Sequence, residues 1–154
     1  MLEDSVENVV LQWKTYAATV KIYPKTEGSP LLECFANNQV FYLFERTSPY
    51  ESSVGTRQVI INPVAKHLQL TNETKKEINT IDISALEATG LIIYRGKHMV
   101  VVDAGLPLVV GYTEPLPDEI VTGEWLELTT IRPIHGFVVP MVRQGRYFER
   151  NEEI

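Results

Sequence analysis

This 154-residue chain offers three histidines, one cysteine, 14 basic and 20 acidic side chains for chemistry, and few of them are spaced for it. The leading titratable group is His135, within Arg132-Pro133-Ile134-His135-Gly136-Phe137. An imidazole changes charge near neutrality, so it can give or take a proton. A bend at Pro133 and the freedom of Gly136 would aim the imidazole and the Arg132 guanidinium into one cleft. Arg132 and His135 are therefore the candidate lining of a small-ligand or catalytic pocket. The plainer explanation is a hydrogen-bonded histidine at a strand start beside a solvated or ion-paired arginine. His98 and Asp103, five residues apart on one expected strand, project to opposite faces and form no local dyad. His67 reads as an exposed polar residue on a short helix. Cys34 has apolar neighbours in Leu32 and Phe35, the setting of an inert buried thiol.

The C-terminal segment carries the other candidate site. Arg143, Arg146 and Arg150 stand with Tyr147 and Phe148, and arginine with aromatics is the composition favoured at the centre of protein interfaces. The acids Glu114, Asp118, Glu119, Glu124 and Glu127 could pair with those arginines on a second copy, giving self-association. Equally, they form a solvated loop and strand edge, and the tail a frayed polar end.

Several chemistries are missing at the level of spacing. No two of the nine glycines are separated by a single residue, which removes the dinucleotide fingerprint, and no Gly-Lys-Ser/Thr phosphate loop occurs. There is no Gly-x-Ser-x-Gly elbow, no zinc spacing among one cysteine and three dispersed histidines, and no calcium loop. The sequence thus assigns no catalytic residue, no metal ligand and no cofactor. Asn72-Glu73-Thr74 matches a glycosylation acceptor, expected to stay unmodified because no secretory signal is visible.

The elements that must position these groups are mostly strands. Valine and isoleucine number 29 and threonine 13, against seven alanines, a β-rich composition. Val6, Val9, Val10 and Trp13 follow helical spacing over about residues 5–14, with Asp4 or Ser5 as cap. Alternation then takes over up to Ile22. Residues 31–35 and 40–45 read as a hairpin across Ala36-Asn37-Asn38. Residues 58–61 read as a strand ended by Asn62-Pro63, which would start a helix over residues 64–70. Ser84-Ala85-Leu86-Glu87 has the form of a capping box, with Gly90 as a helical stop. A three-stranded meander follows over residues 91–112, turning at Arg95-Gly96-Lys97 and Ala104-Gly105. Residues 120–131 and 134–142 read as two further strands around Arg132-Pro133. No internal repeat is visible.

These elements predict a mainly β (β-rich α+β) single domain over residues 1–142, an antiparallel β-barrel or sandwich of about eight short strands with two or three short helices, and a charged tail over 143–154. Phe41, Leu43, Val101 and Leu128 are the expected core. The net charge of −6 repels a phosphate backbone, so nucleic acid is not an expected partner and a single-strand-binding module is disfavoured. No apolar run reaches the ~20 residues of a membrane helix, and a lone cysteine fits a reducing, cytoplasmic setting. The reading that remains is a non-enzymatic cytosolic binding or assembly module holding a protein partner or a second copy. The alternative is a small-ligand barrel or enzyme with a pocket at His135 and Arg132.

Overall fold

The computed structural model describes residues 5–24, 29–46 and 54–140. The helix expected at the start is present as α1 (Val6–Trp13), with the Ser5 hydroxyl accepting from the Asn8 amide at 3.2 Å. A 3-10 turn over Lys14–Tyr16 leads into β1 (Ala18–Ile22). The expected hairpin follows as β2 (Leu31–Ala36) and β3 (Gln39–Glu45), joined through Asn37 and Asn38 at φ 53° and 60°. Two consecutive left-handed residues make the turn that matches strand twist, and asparagine tolerates that conformation. The remaining strands are β4 (Gly55–Leu70), β5 (Glu77–Asp82), β6 (Ala85–Arg95), β7 (Met99–Asp103), β8 (Pro107–Gly111) and β9 (Trp125–Val138). The 91–112 meander stands as predicted.

The protein is mainly β, with one α-helix among the described residues rather than two or three. Residues 64–70 are not helical; they form the second half of β4. Asn62 does not cap a helix: its Nδ2 donates to Val109 O at 2.6 Å, in the place of a backbone rung. Pro63 and Pro133 fall in one irregularity of the β4–β9 ladder, between the pairs Asn62↔His135 and Val64↔Ile131. A proline has no N–H to donate, so a break in pairing is where a strand accommodates it. Both long strands pass through it, which is why Asn62-Pro63 ends no strand and Arg132-Pro133 does not divide β9. Ser84 does not cap a helix either. It sits at φ 57° in the turn from β5 to β6, and its hydroxyl serves another strand.

The nine strands form one sheet in the order β1-β2-β3-β9-β4-β8-β7-β6-β5, with β1 also paired to β4 and β9 to β6. The extra pairings close two five-strand circuits, β1-β2-β3-β9-β4 and β6-β7-β8-β4-β9, which share the two long strands. The sheet is mixed rather than purely antiparallel: β3 runs parallel to β9 and β8 parallel to β4. Parity requires this. A three-stranded meander ends in the direction it began; β1 opposes β4 and β4 opposes β9, so β3 and β9 must point the same way.

Residues 18–70 and 85–138 therefore repeat one connectivity, a meander followed by a long strand that returns to the meander's first strand. The sequence shows no repeat because strand pairing asks only for alternation and turns, not for particular residues.

Alternation divides the apolar residues between two clusters. Leu32, Cys34, Phe41, Leu43, Val100, Val102, Leu108, Val110 and Leu128 belong to the main core. Val101 and Val109 face the other way and pack with Ile60 and Phe137 beneath Val10 and Trp13 of α1. All four expected core residues are buried, although Val101 belongs to the cluster under the helix. The loop from β8 to β9 contributes Leu116 and Ile120 to the main core. Arg95 holds that loop by donating to the carbonyls of Leu116, Pro117 and Ile120 at 2.9, 3.1 and 2.9 Å. No helix among the described residues is long and apolar enough to cross a membrane.

Candidate functional site

A fork in the sheet creates the main surface feature. β9 pairs with β6 over Trp125 to Thr129 and with β3 only at His135 and Gly136. Between these stretches, side chains replace backbone rungs. The Ser84 hydroxyl accepts from the Ile134 amide at 2.8 Å, and the Thr130 hydroxyl accepts from the Leu86 amide at 3.0 Å, both buried. Across the fork, Gln39 Nε2 donates to Ile78 O of β5 at 2.5 Å. A carboxamide side chain thus bridges β3 to β5 where no main-chain pairing joins them.

A cleft of about 380 Å³ opens between these bridges, lined by Val40, Phe41 and Tyr42 on one side and by residues 80–86 on the other, with Ile134 at its floor. Along β3, Gln39, Phe41 and Leu43 exchange bonds with β2 in the pattern set by the two-residue turn, so the backbone groups of Val40 and Tyr42 point away from β2. Among the described residues no strand pairs with β3 at those two positions, nor with the outer side of β5. Two sheet edges therefore look onto one cleft. Its apolar walls are unusually open: Val40 and Tyr42 are 37% and 36% exposed, Ile81 and Ile83 51% and 59%, and neighbouring Phe35 36%.

The structure separates the two residues expected to share a pocket. Arg132 is exposed and ion-pairs with Asp82 at 3.3 Å. His135 is half-buried, 5.8 Å in ring centroid from Phe44, and its Nδ1 accepts from Arg46 Nη1 at 2.9 Å. Burial pushes the imidazole below its ordinary pKa, and the Arg46 charge adds to the effect. The result is a neutral ring whose Nδ1 lone pair is engaged, leaving an Nε2–H donor. Neither Arg132 nor His135 lines the cleft, although Ile134 between them does. Arg143, Arg146, Tyr147 and Phe148 lie outside the described residues, as does Arg150.

Other candidates fall into place individually. Cys34 is fully buried, and burial, with Glu33 and Glu45 nearby, raises its thiol to about 12. His67 is exposed, as expected, but on β4 rather than on a helix. It forms a polar row with Thr129 and Glu87 across β4, β9 and β6, beside a second row of Gln69, Glu127 and Thr89. Glu127 accepts from Gln69 Nε2 at 2.5 Å, while Glu114, Asp118, Glu119 and Glu124 are exposed. Among the described residues no group of three or more His, Cys, Asp or Glu could hold a metal ion.

Comparison with known proteins gives no matching family, no matching curated protein and no matching solved structure.

Sequence reasoning missed Ile81, Ile83 and Ser84. Their signal was present: Ile81 and Ile83 flank Asp82, and with Ile78 they are the only apolar residues between positions 71 and 84. The capping-box spelling that follows made Ser84 the start of a helix and left Ile81 and Ile83 assigned to no element.

Proposed function

We propose that this chain is a non-enzymatic binding module that works through protein–protein contacts, with the outer face of β2 and β3 and the adjoining cleft as its contact surface. In this reading the two strand circuits act as small closed barrels, a rigid support for one exposed apolar patch. The observation that carries it is a set of apolar side chains each at least 36% exposed: Val40, Tyr42 and Ile81 on two strand edges that face the cleft, Ile83 in the adjoining turn, and Phe35 beside Val40 on β2. Contiguous exposed apolar side chains favour macromolecular contacts, and an open edge adds main-chain rungs to any extended segment laid along it. The single thiol, buried and unpaired, suits a reducing compartment.

The test is a selection of binders from a random-peptide display library on the full chain. Peptides should emerge whose binding is lost in Tyr42→Asp and Ile83→Asp but kept in Leu11→Asp, a change on the exposed side of α1 (Leu11 is 65% exposed). Binders indifferent to both cleft substitutions would overturn the reading.

A further inference from the structure

The two strands that flank the cleft run the same way, because β3 is parallel to β9, β9 antiparallel to β6, and β6 antiparallel to β5. They do not pair with each other, yet each turns main-chain groups into the space between them. Val40 and Tyr42 are the non-bonded positions of the β2–β3 hairpin, so their N–H and C=O groups point away from β2. Thr80 is in the same situation on β5. The amide of its partner Leu86 donates to the Thr130 hydroxyl, on the side of β6 away from β5, so Thr80 and Leu86 exchange no rung. Two residues earlier Ile78 turns its carbonyl outward to the Gln39 carboxamide, as the alternation of a ladder requires. The gap between β3 and β5 thus has open edges on both sides, and at one end the Gln39 side chain crosses it.

We infer that the cleft takes an uncharged, extended peptide segment of a partner protein as an inserted strand, held by main-chain hydrogen bonds to Val40 and Tyr42 on one side and to Thr80 on the other. This rests on the proposed contact surface and adds the chemistry of the partner and its mode of binding.

Charge defines the segment first. Among the described residues Asp82 is the only charged one lining the cleft, and Arg132 neutralises it at 3.3 Å. A charged side chain brought into the cleft would find no free counter-ion there and would lose its hydration. Successive side chains of an inserted strand point to opposite faces. One set would lie beside Val40, Tyr42 and Ile81, the other toward Phe41, Leu86 and Ile134. Both surroundings are apolar, which suits β-branched and aromatic residues at consecutive positions. Proline is excluded where an N–H must donate. The site is also short. Val40 to Tyr42 covers two rises, roughly 7 Å, so about four residues of the segment engage it. The segment runs antiparallel to β3 and β5 alike, the better-bonded of the two arrangements.

The experiment uses the full chain and a capped, uncharged peptide of three valines alternating with threonines between terminal serines. With the peptide at saturation, amide exchange followed by NMR should slow at least about tenfold at Val40, Tyr42 and Thr80. The amide of Asn72, in the exposed loop after β4, should be unaffected. Two N-methylated forms of the peptide, blocking alternate N–H groups along one edge or the other, should each bind at least about tenfold more weakly. A form with the central valine replaced by lysine should lose affinity by a similar factor. No binding at millimolar peptide would overturn the inference. So would unchanged exchange at Val40, Tyr42 and Thr80, full affinity in either N-methylated form, or full affinity in the lysine form. If the insertion fails while peptides selected from the library still require Tyr42 and Ile83, the contact surface stands and is held by side chains alone. If the selected peptides ignore those residues as well, both fall.

Discussion

Ser84 gives the sharpest energetic test of the fork that frames the cleft. It is 5% exposed, adopts φ 57° and accepts a 2.8 Å hydrogen bond from the Ile134 amide. Replacing it with alanine leaves that buried N–H without an acceptor, at about 1–3 kcal/mol. The backbone strain is the same for serine and alanine, so it does not enter this difference. Glycine also removes the hydroxyl but relieves the left-handed conformation, worth roughly 1–2 kcal/mol to a residue with a Cβ. Against this stands about 0.4–1 kcal/mol of extra entropy in the unfolded chain. Ser84→Gly should therefore be more stable than Ser84→Ala by about 0.5–1 kcal/mol, the reverse of the usual order in a strand, while both fall below the wild type. Urea unfolding at matched slope measures this directly. If Ser84→Ala equals the wild type, or exceeds Ser84→Gly in stability, the hydroxyl rung and the strained turn are both misassigned.

Other consequences can be checked on purified protein. Arg95→Met should cost about 1.5–3 kcal/mol, and Arg95→Lys a similar amount, because one ammonium cannot serve the carbonyls of Leu116, Pro117 and Ile120 together; a neutral Arg95→Lys in urea unfolding would contradict this. Cys34, with its thiol pushed up to about 12 by burial, should not react with a disulfide reagent at pH 8 until the protein is unfolded; rapid native labelling would show the site is open. His135 is held below its ordinary value in the fold, so the unfolded chain binds the proton first as pH drops below about 6.5, the reference value for histidine. Its contribution is present above that pH and diminishes on acidification, and His135→Gln should flatten the fall in Tm between pH 7.5 and 5; identical slopes would refute the assignment.

Local pattern made α1, the Asn37-Asn38 hairpin and the meander readable, because each is fixed by spacing and turn residues within about twenty positions. What stayed hidden depends on partners far away in the chain. Pro63 and Pro133 look like element ends until they are found sharing one gap in the β4–β9 ladder. Ser84 looks like a helix cap until Ile134, fifty residues on, supplies the amide its hydroxyl accepts. Arg132 and His135, three residues apart, looked like partners, yet Asp82 and Arg46 claim them separately. The duplicated topology left no mark because its two copies share pairing and not residues. The exposed face of β2 and β3 could not be foreseen either: Val40-Phe41-Tyr42-Leu43-Phe44 is apolar at every position, and only the absence of a second α1 among the described residues shows which of its sides is uncovered.

Tyr42 and Tyr94 provide the most direct measurement, because the described residues leave them similarly open, at 36% and 40%. Hydroxyl-radical footprinting of the full chain, read residue by residue by mass spectrometry, compares the two within one sample. If the outer face of β2 and β3 is the contact surface, a selected peptide at saturation should slow the labelling of Tyr42 and Phe35 several-fold and leave Tyr94 unchanged. No slowing at Tyr42, or equal slowing at Tyr42 and Tyr94, would contradict it.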